Sequence, residues 1–199
     1  VAPGPADGTI KGMTGIVLRA ARPAEATLLG DIALRAKGYW GYDKEFLEAC
    51  RAELTFTEQD IQDRHFVVAE SAGTLIGFYS LDGQPPAGEL GNMWLEPTAI
   101  GTGLGRQLWA HAIKTAEAAG YKQLSIEAEP NAEGFYLAMG ADRTGETPSG
   151  SIPGRVLPLM TFSVGSLAER AADDDSWRGS GVREARAIAL GEGGDLTDE

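Results

Sequence analysis

The sequence predicts an α/β fold with a mixed, mostly antiparallel central sheet flanked by helices. Three observations carry this. Residues 65–69 and 75–81 are apolar, β-rich runs joined by Ser71-Ala72-Gly73-Thr74, which reads as a hairpin. Residues 89–96 then read as a strand, followed by a glycine-rich turn, an amphipathic helix and a further strand at 124–129. Two more strands are expected near 141–144 and 156–164.

The elements follow in order. Residues 1–12 are rich in Gly, Pro and Ala and carry no period, so 1–13 read as a flexible leader, with Met13 an alternative start. A short strand spans 16–20. Pro23 suits the first position of a helix running to about residue 36. Gly38-Tyr39-Trp40-Gly41-Tyr42 interrupts it, and Asp43 is the N-cap expected for a second helix through residue 54. Thr57 opens another short helical turn. After the hairpin, residues 83–88 read as a loop, and Pro97 ends the next strand. In the following helix Leu104, Leu108, Ala112, Ile113 and Ala116 share one face, while Arg106, Gln107, Lys114 and Glu117 share the other. Gly120 ends that helix. Asn131 opens a short one through Met139, which Gly140 stops. Residues 14–165 thus form one domain. Residues 166–199 are acidic and turn-rich and read as largely disordered, with a candidate short helix at 183–190.

Composition narrows the function. The 199 residues are 43% hydrophobic, enough for one domain with its own core. A formal net charge of −12 disfavours nucleic acid and anionic membranes, which are bound mainly through Lys and Arg. The single cysteine, Cys50, excludes an internal disulfide and reads as a small buried thiol. No apolar run approaches the ~18 to 20 residues of a membrane span. No signal-peptide pattern is read at the start, so the expected location is cytoplasmic.

The stretch Leu90-Gly-Asn-Met-Trp-Leu-Glu-Pro-Thr-Ala-Ile-Gly-Thr-Gly-Leu-Gly105 is the most telling. The first turn of a helix leaves backbone N–H groups without partners, and the macrodipole adds positive charge there. Glycines at Gly101, Gly103 and Gly105 let an anion approach those groups closely. A phosphate subsite is therefore expected. A second signal lies downstream, in Asn131-Ala-Glu-Gly-Phe-Tyr-Leu-Ala-Met-Gly-Ala141.

Together with Ile100-Gly101-Thr102-Gly103-Leu104-Gly105, this stretch resembles the GNAT superfamily of acyl-CoA-dependent N-acetyltransferases over residues 16–164. The resemblance implies that Ile100, Gly101, Thr102, Gly103, Leu104, Gly105 and Arg106 cradle the pyrophosphate of acetyl-CoA. It implies that Met93, Trp94 and Leu95 run beside the pantetheine arm, which fills a gap between splayed fourth and fifth strands. Asn131 would bond the pantetheine region, and Tyr136 would place its hydroxyl near the thioester sulfur. Family members carry Arg or Gln where this chain has Ile100, so one side-chain contact is lost while backbone donors remain. A homodimer is a reasonable expectation from the same resemblance.

The implied chemistry is direct acetyl transfer to a primary amine, expected to belong to a small molecule. Thioester aminolysis expels a thiolate with a pKa of about 8.5, to which a phenol can donate a hydrogen bond or proton. This is the use expected of Tyr136; its bland alternative is a packed aromatic with a satisfied hydroxyl. The N–H near Leu95 would polarise the thioester carbonyl. Glu89 is the first candidate for the base. Glu127 and Glu129 are rivals, and alternation makes that pair equally readable as one polar face. Trp40 and Tyr42 are candidates to hold the acceptor by stacking or cation–π contact, with Glu127 beside them. His65 and His111 are weaker candidates. No Cys/His cluster has metal-ligand spacing, so no metal is expected.

Three rival readings compete. A dinucleotide-binding oxidoreductase shares the strand–Gly-x-Gly–helix outline, but Gly103-Leu-Gly-Arg-Gln-Leu108 lacks the last glycine of the fingerprint. A non-catalytic acyl-CoA sensor would keep the fold without the chemistry. A protein-lysine acetyltransferase would differ only in acceptor.

Overall fold

In the computed structural model, which describes residues 15–165, the apolar runs assemble into a seven-stranded sheet of order β1-β2-β3-β4-β5-β7-β6. The strands are β1 Ile16–Ala20, β2 His65–Ser71, β3 Thr74–Gln84, β4 Ala87–Leu95, β5 Gln123–Glu127, β6 Asp142–Pro148 and β7 Val156–Ser163. The helices are α1 Ala26–Gly38, α2 Lys44–Cys50, α3 Glu58–Asp63, α4 Leu104–Ala119 and α5 Glu133–Ala138. Every neighbouring pair is antiparallel except β4 and β5. The expected leader, acidic tail and 183–190 helix lie outside the described residues.

Two expectations need correction. The stretch 83–88 is not a loop but a tight hairpin, with β3 running to Gln84, β4 starting at Ala87, and only Pro85 and Pro86 at the tip. Glycine and alanine still supply ladder hydrogen bonds; the prolines, which lack an N–H, take the turn. Gly88 is required there, because a Cβ would lie 2.3 Å from the Tyr121 ring, whose hydroxyl donates to the Gly83 carbonyl at 2.9 Å. Second, α2 stops at Cys50 rather than residue 54; the chain continues in turns, closed by Leu54 N–H to the Cys50 carbonyl at 3.1 Å.

Each sheet face has its own core. The α4 stripe of Leu104, Leu108, Ala112, Ile113 and Ala116 packs with Tyr79, Leu90, Leu124, Ile126 and Phe162. On the other face, Leu29, Ile32 and Ala33 of α1 join Phe66, Val68, Phe78 and Cys50. Fully burying a leucine such as Leu108 contributes about 1.5 to 3 kcal/mol. Both ends of α4 close on left-handed glycines, Gly103 and Gly120, as the sequence punctuation predicts.

Two irregularities in β4 create the site. Ser80 of β3 faces Asn92 while Leu81 faces Leu90, so Gly91 is an extra, bulged residue. A Cβ on Gly91 would fall 1.8 Å from the Asp82 carboxylate and would push it off its present position beside Arg64. β4 and β5 pair only over Ala87–Glu89 and Gln123–Ser125. Beyond those residues β5 pairs with β7 alone, and the two parallel strands part toward their C-terminal ends. The splayed fourth and fifth strands are thus present. No helix among the described residues is long and apolar enough to cross a membrane.

Candidate active site

The gap between β4 and β5 has a backbone-lined side and a side-chain-lined side. On the α4 side, Pro97–Ala99 makes one 3-10 turn and Thr102 Oγ1 donates back to the Ala99 carbonyl at 2.7 Å. Gly101 and Gly103 have φ of +80° and +93°, where L side chains are strained. The first helical bond of α4 comes from Gln107 N–H to the Gly103 carbonyl at 3.3 Å. The N–H groups of Gly103, Leu104, Gly105 and Arg106 consequently have no backbone acceptor, and no side chain caps them. This is an anion-binding arrangement. Gly105 contributes its N–H to this row and also stands against α5, where a Cβ would lie 3.4 Å from the Phe135 ring. Leu104 points into the core, Ile100 is half-buried, and Arg106 is exposed without an ion-pair partner among the described residues.

Along β4, Met93 and Leu95 pack with the α4-side core, while Trp94 packs with the α1-side core. Glu96 N–H reaches the Ile76 carbonyl at 2.9 Å. Strand alternation therefore turns the Leu95 N–H the other way, toward the gap. Behind Trp94 runs a polar chain. Its Nε1 donates to Asn92 Oδ1 at 3.0 Å, Asn92 Nδ2 to Ser80 Oγ at 2.9 Å, and Ser80 Oγ to Asp82 at 3.1 Å. Arg64 forks onto Asp82 with two contacts of 2.6 Å.

Glu89 stands opposite Asp82 in register and faces β5 at Ser125. Burial, reinforced by the Glu127 and Asp82 charges and only partly offset by Arg64, holds its carboxyl above the usual range. Glu127 is exposed. Tyr136 is 7% exposed, with its ring against Trp109 and Phe135 at centroid distances of 5.8 and 5.2 Å. Its hydroxyl has no hydrogen bond to a described residue, and burial pushes its pKa well up, so it stays protonated.

A buried ionic cluster occupies the mouth of the gap. Glu129 accepts from Tyr42 Oη at 2.5 Å, from Arg155 Nη2 at 3.0 Å and from Asn131 Nδ2 at 3.2 Å, and lies 3.5 Å from Lys37 Nζ. Its side chain is only 7% exposed. It is therefore not part of a shared solvated face with Glu127, as alternation alone allowed: β5 ends at Glu127, and Glu129 turns into the cluster. Burial raises the Glu129 pKa, but the Tyr42 hydrogen bond and the Lys37 and Arg155 charges outweigh it, so the net shift is downward. Burial and the Glu129 bond push Tyr42 up to about 12. Arg155 stacks over the Tyr42 and Phe46 rings, and Lys37 Nζ sits 5.6 Å from the Trp94 ring centroid.

Tyr42 thus joins the site through its hydroxyl, held by Glu129, rather than as a free stacking ring. Trp40 does not meet it: 38% exposed, it packs edge-on against Tyr39. Sequence reading missed Lys37 and Arg155. Lys37 had a legible signal, a cation four residues after Ala33 on the buried stripe of α1. Arg155, in the loop before β7, had none. His111 is occupied by the Tyr79 hydroxyl at 2.8 Å, and burial lowers the His65 pKa. Cys50 is buried beside Ser151 Oγ at 3.4 Å.

Comparison with known proteins places this geometry. A family model described as an acetyltransferase (GNAT) domain matches residues 30–149. A GCN5-related N-acetyltransferase structure from Rhodopseudomonas palustris (Aminotransferase, Class-II) is 23% identical, with TM-score 0.63 over 78% of this chain and 99% of that one. The PaiA N-acetyltransferase of Thermoplasma acidophilum, in complex with coenzyme A, is 21% identical, with TM-score 0.62 over 75% and 99%. The yncA structure from Salmonella typhimurium, with its cofactor acetyl-CoA, is 22% identical, with TM-score 0.55 over 76% and 95%. At these identities the likeness is one of fold. No curated protein matches the chain.

Proposed function

The chain belongs to the GNAT acetyltransferase family, and on that premise we propose that it transfers the acetyl group of acetyl-CoA to a primary amine of a small molecule, directly, in a ternary complex. The observation that carries the reading is the run of unpaired amides at Gly103, Leu104, Gly105 and Arg106 beside a sheet that parts between β4 and β5. The amides suit a pyrophosphate, and the gap suits an extended pantetheine arm along Met93, Trp94 and Leu95. Two structural relatives hold coenzyme A or acetyl-CoA, which supports the choice of donor.

The amine nitrogen attacks the thioester carbonyl, the C–N bond forms, and the C–S bond breaks to release the thiolate. Glu89, six residues before Leu95 on β4, takes the amine proton through a chain of waters; its raised pKa makes it a better base than a solvated carboxylate. The Leu95 N–H polarises the carbonyl oxygen. Tyr136, protonated and without a protein partner, donates to the departing sulfur. Glu127, exposed near Glu89, flanks the route of the amine. Asn131 keeps its carbonyl oxygen for the pantetheine while its amide nitrogen serves Glu129.

The test is thiol release from acetyl-CoA with and without pooled amines, polyamines, aminoglycosides, amino acids and a lysine peptide. Amine-dependent release from a small-molecule pool is expected. Acetyl-CoA binding without release in any pool would overturn the catalytic reading. Release with the lysine peptide alone would reassign the acceptor. Absence of binding would overturn the role of the α4 amides.

A further inference from the structure

The buried cluster at the mouth of the gap carries an unbalanced charge. Lys37 and Arg155 are both cations, and Glu129 is the one carboxylate paired with either among the described residues. Tyr42 and Asn131, the remaining members, are neutral. The Lys37 and Arg155 side chains are 5% and 15% exposed, so water does little to solvate the excess. A buried cation without a counter-charge is costly. The cost shows again in one atom: Arg155 Nη1 is a fully buried donor with no acceptor among the described residues. Such orphans are rare in native proteins and need a reason.

Position supplies the reason. Lys37 bridges the parted strands, with Nζ over Trp94 at the end of β4 and beside Glu129 just past β5. Trp94 packs with the α1-side core, whereas α4, whose free amides suit the donor, covers the opposite face. The cluster therefore lies on the face left for the acceptor. Leu95, whose N–H is assigned to the thioester carbonyl, directly follows Trp94, so Lys37 and its neighbour Arg155 stand close to the reacting centre rather than a strand-length away from it.

We propose that the acceptor is an amino acid in the broad sense, a small molecule carrying a carboxylate as well as its reacting amine, and that Lys37 and Arg155 bind that carboxylate. This rests on the acetyltransferase reading above. The acceptor carboxylate completes the charge balance that Glu129 leaves unfinished, and Arg155 Nη1 is the donor still without an acceptor, Nη2 being held by Glu129 and Tyr42.

The experiment measures kcat/KM with acetyl-CoA for β-alanine, γ-aminobutyrate, 6-aminohexanoate and lysine, each against its primary amide. The carboxylate form is expected to exceed its amide by about tenfold or more. Arg155→Gln and Lys37→Gln should bring that ratio toward one, and Arg155→Lys should restore part of it. Acetyl-CoA binding, followed by thermal shift, should be unchanged in all three and reports that they fold. Equal turnover of acids and amides by the native protein would overturn the carboxylate site and leave the acetyltransferase reading standing. Turnover of no amine, with acetyl-CoA bound, would overturn that reading instead. In that case titration of N-acetyl-γ-aminobutyrate and its amide into the CoA-bound protein decides the site, and equal or absent binding rejects it.

Discussion

The two sides of the β4–β5 gap are made of different materials. The α4 side presents backbone: consecutive N–H groups, shaped by Gly101 and Gly103, with Ile100 at the entrance. The mouth presents side chains: Lys37 from α1, Tyr42 from the turn after it, Glu129 and Asn131 from beyond β5, and Arg155 from the loop before β7. A backbone site tolerates changes of residue because its donors belong to no particular side chain. A side-chain cluster does not, since each member balances another's charge. On the proposed reading, the first serves the donor and the second sets the choice of acceptor.

The contrast is sharpest if Glu129 is removed. Glu129→Ala leaves Lys37 and Arg155 buried without their counter-charge, and a loss of about 3 to 5 kcal/mol is expected in urea unfolding. The pH dependence should follow. Because the folded-state pKa of Glu129 lies below its unfolded value, its contribution is present above the ordinary carboxylate range and is lost as pH falls through the lowered value. The variant should lack that acid-side decline. A variant of native stability would mean that the cluster is not balanced as described.

Tyr136→Phe comes next. The ring packing against Trp109 survives, so the unfolding midpoint should hold while kcat falls by about 10². Full kcat under chemistry-limited conditions would remove Tyr136 from the mechanism. For Glu89→Gln the signature is a pH profile of kcat at saturating amine. Native activity should fall as pH drops through the raised Glu89 pKa, and the variant should be slow with that limb flattened. An unchanged profile rejects Glu89 as base. The smallest effect belongs to the backbone side. Ile100→Arg should tighten acetyl-CoA binding by about tenfold at most, since it adds one charge-assisted contact to donors already present. A far larger change would mean that side chains, not amides, dominate there.

How much of this was legible in the sequence follows the same division. The hairpin 65–81, the α4 stripe and its two glycine ends were readable because each depends on neighbours within one or two turns of chain. The 83–88 hairpin was misread, since glycine and proline mark a turn without saying how short it is. Glu129 was weighed as a base; its burial against α1 and the β7 loop makes it an anion holding two cations. Gly105 was read as a glycine for ligand approach, and only the fold shows that it also stands against the Phe135 ring of α5.

By itself, then, the sequence determined the order of elements, the family and the amide-lined turn, because periodicity, capping and glycine conformations act locally along the chain. Tertiary structure alone decided that Lys37 meets Arg155 across more than a hundred intervening residues. It also decided where the expected parting of β4 and β5 falls, after Glu89, and that Tyr42 is held by Glu129 rather than left free. Those outcomes depend on which burial leaves which charge without water, and that balance exists only once distant segments share one interior.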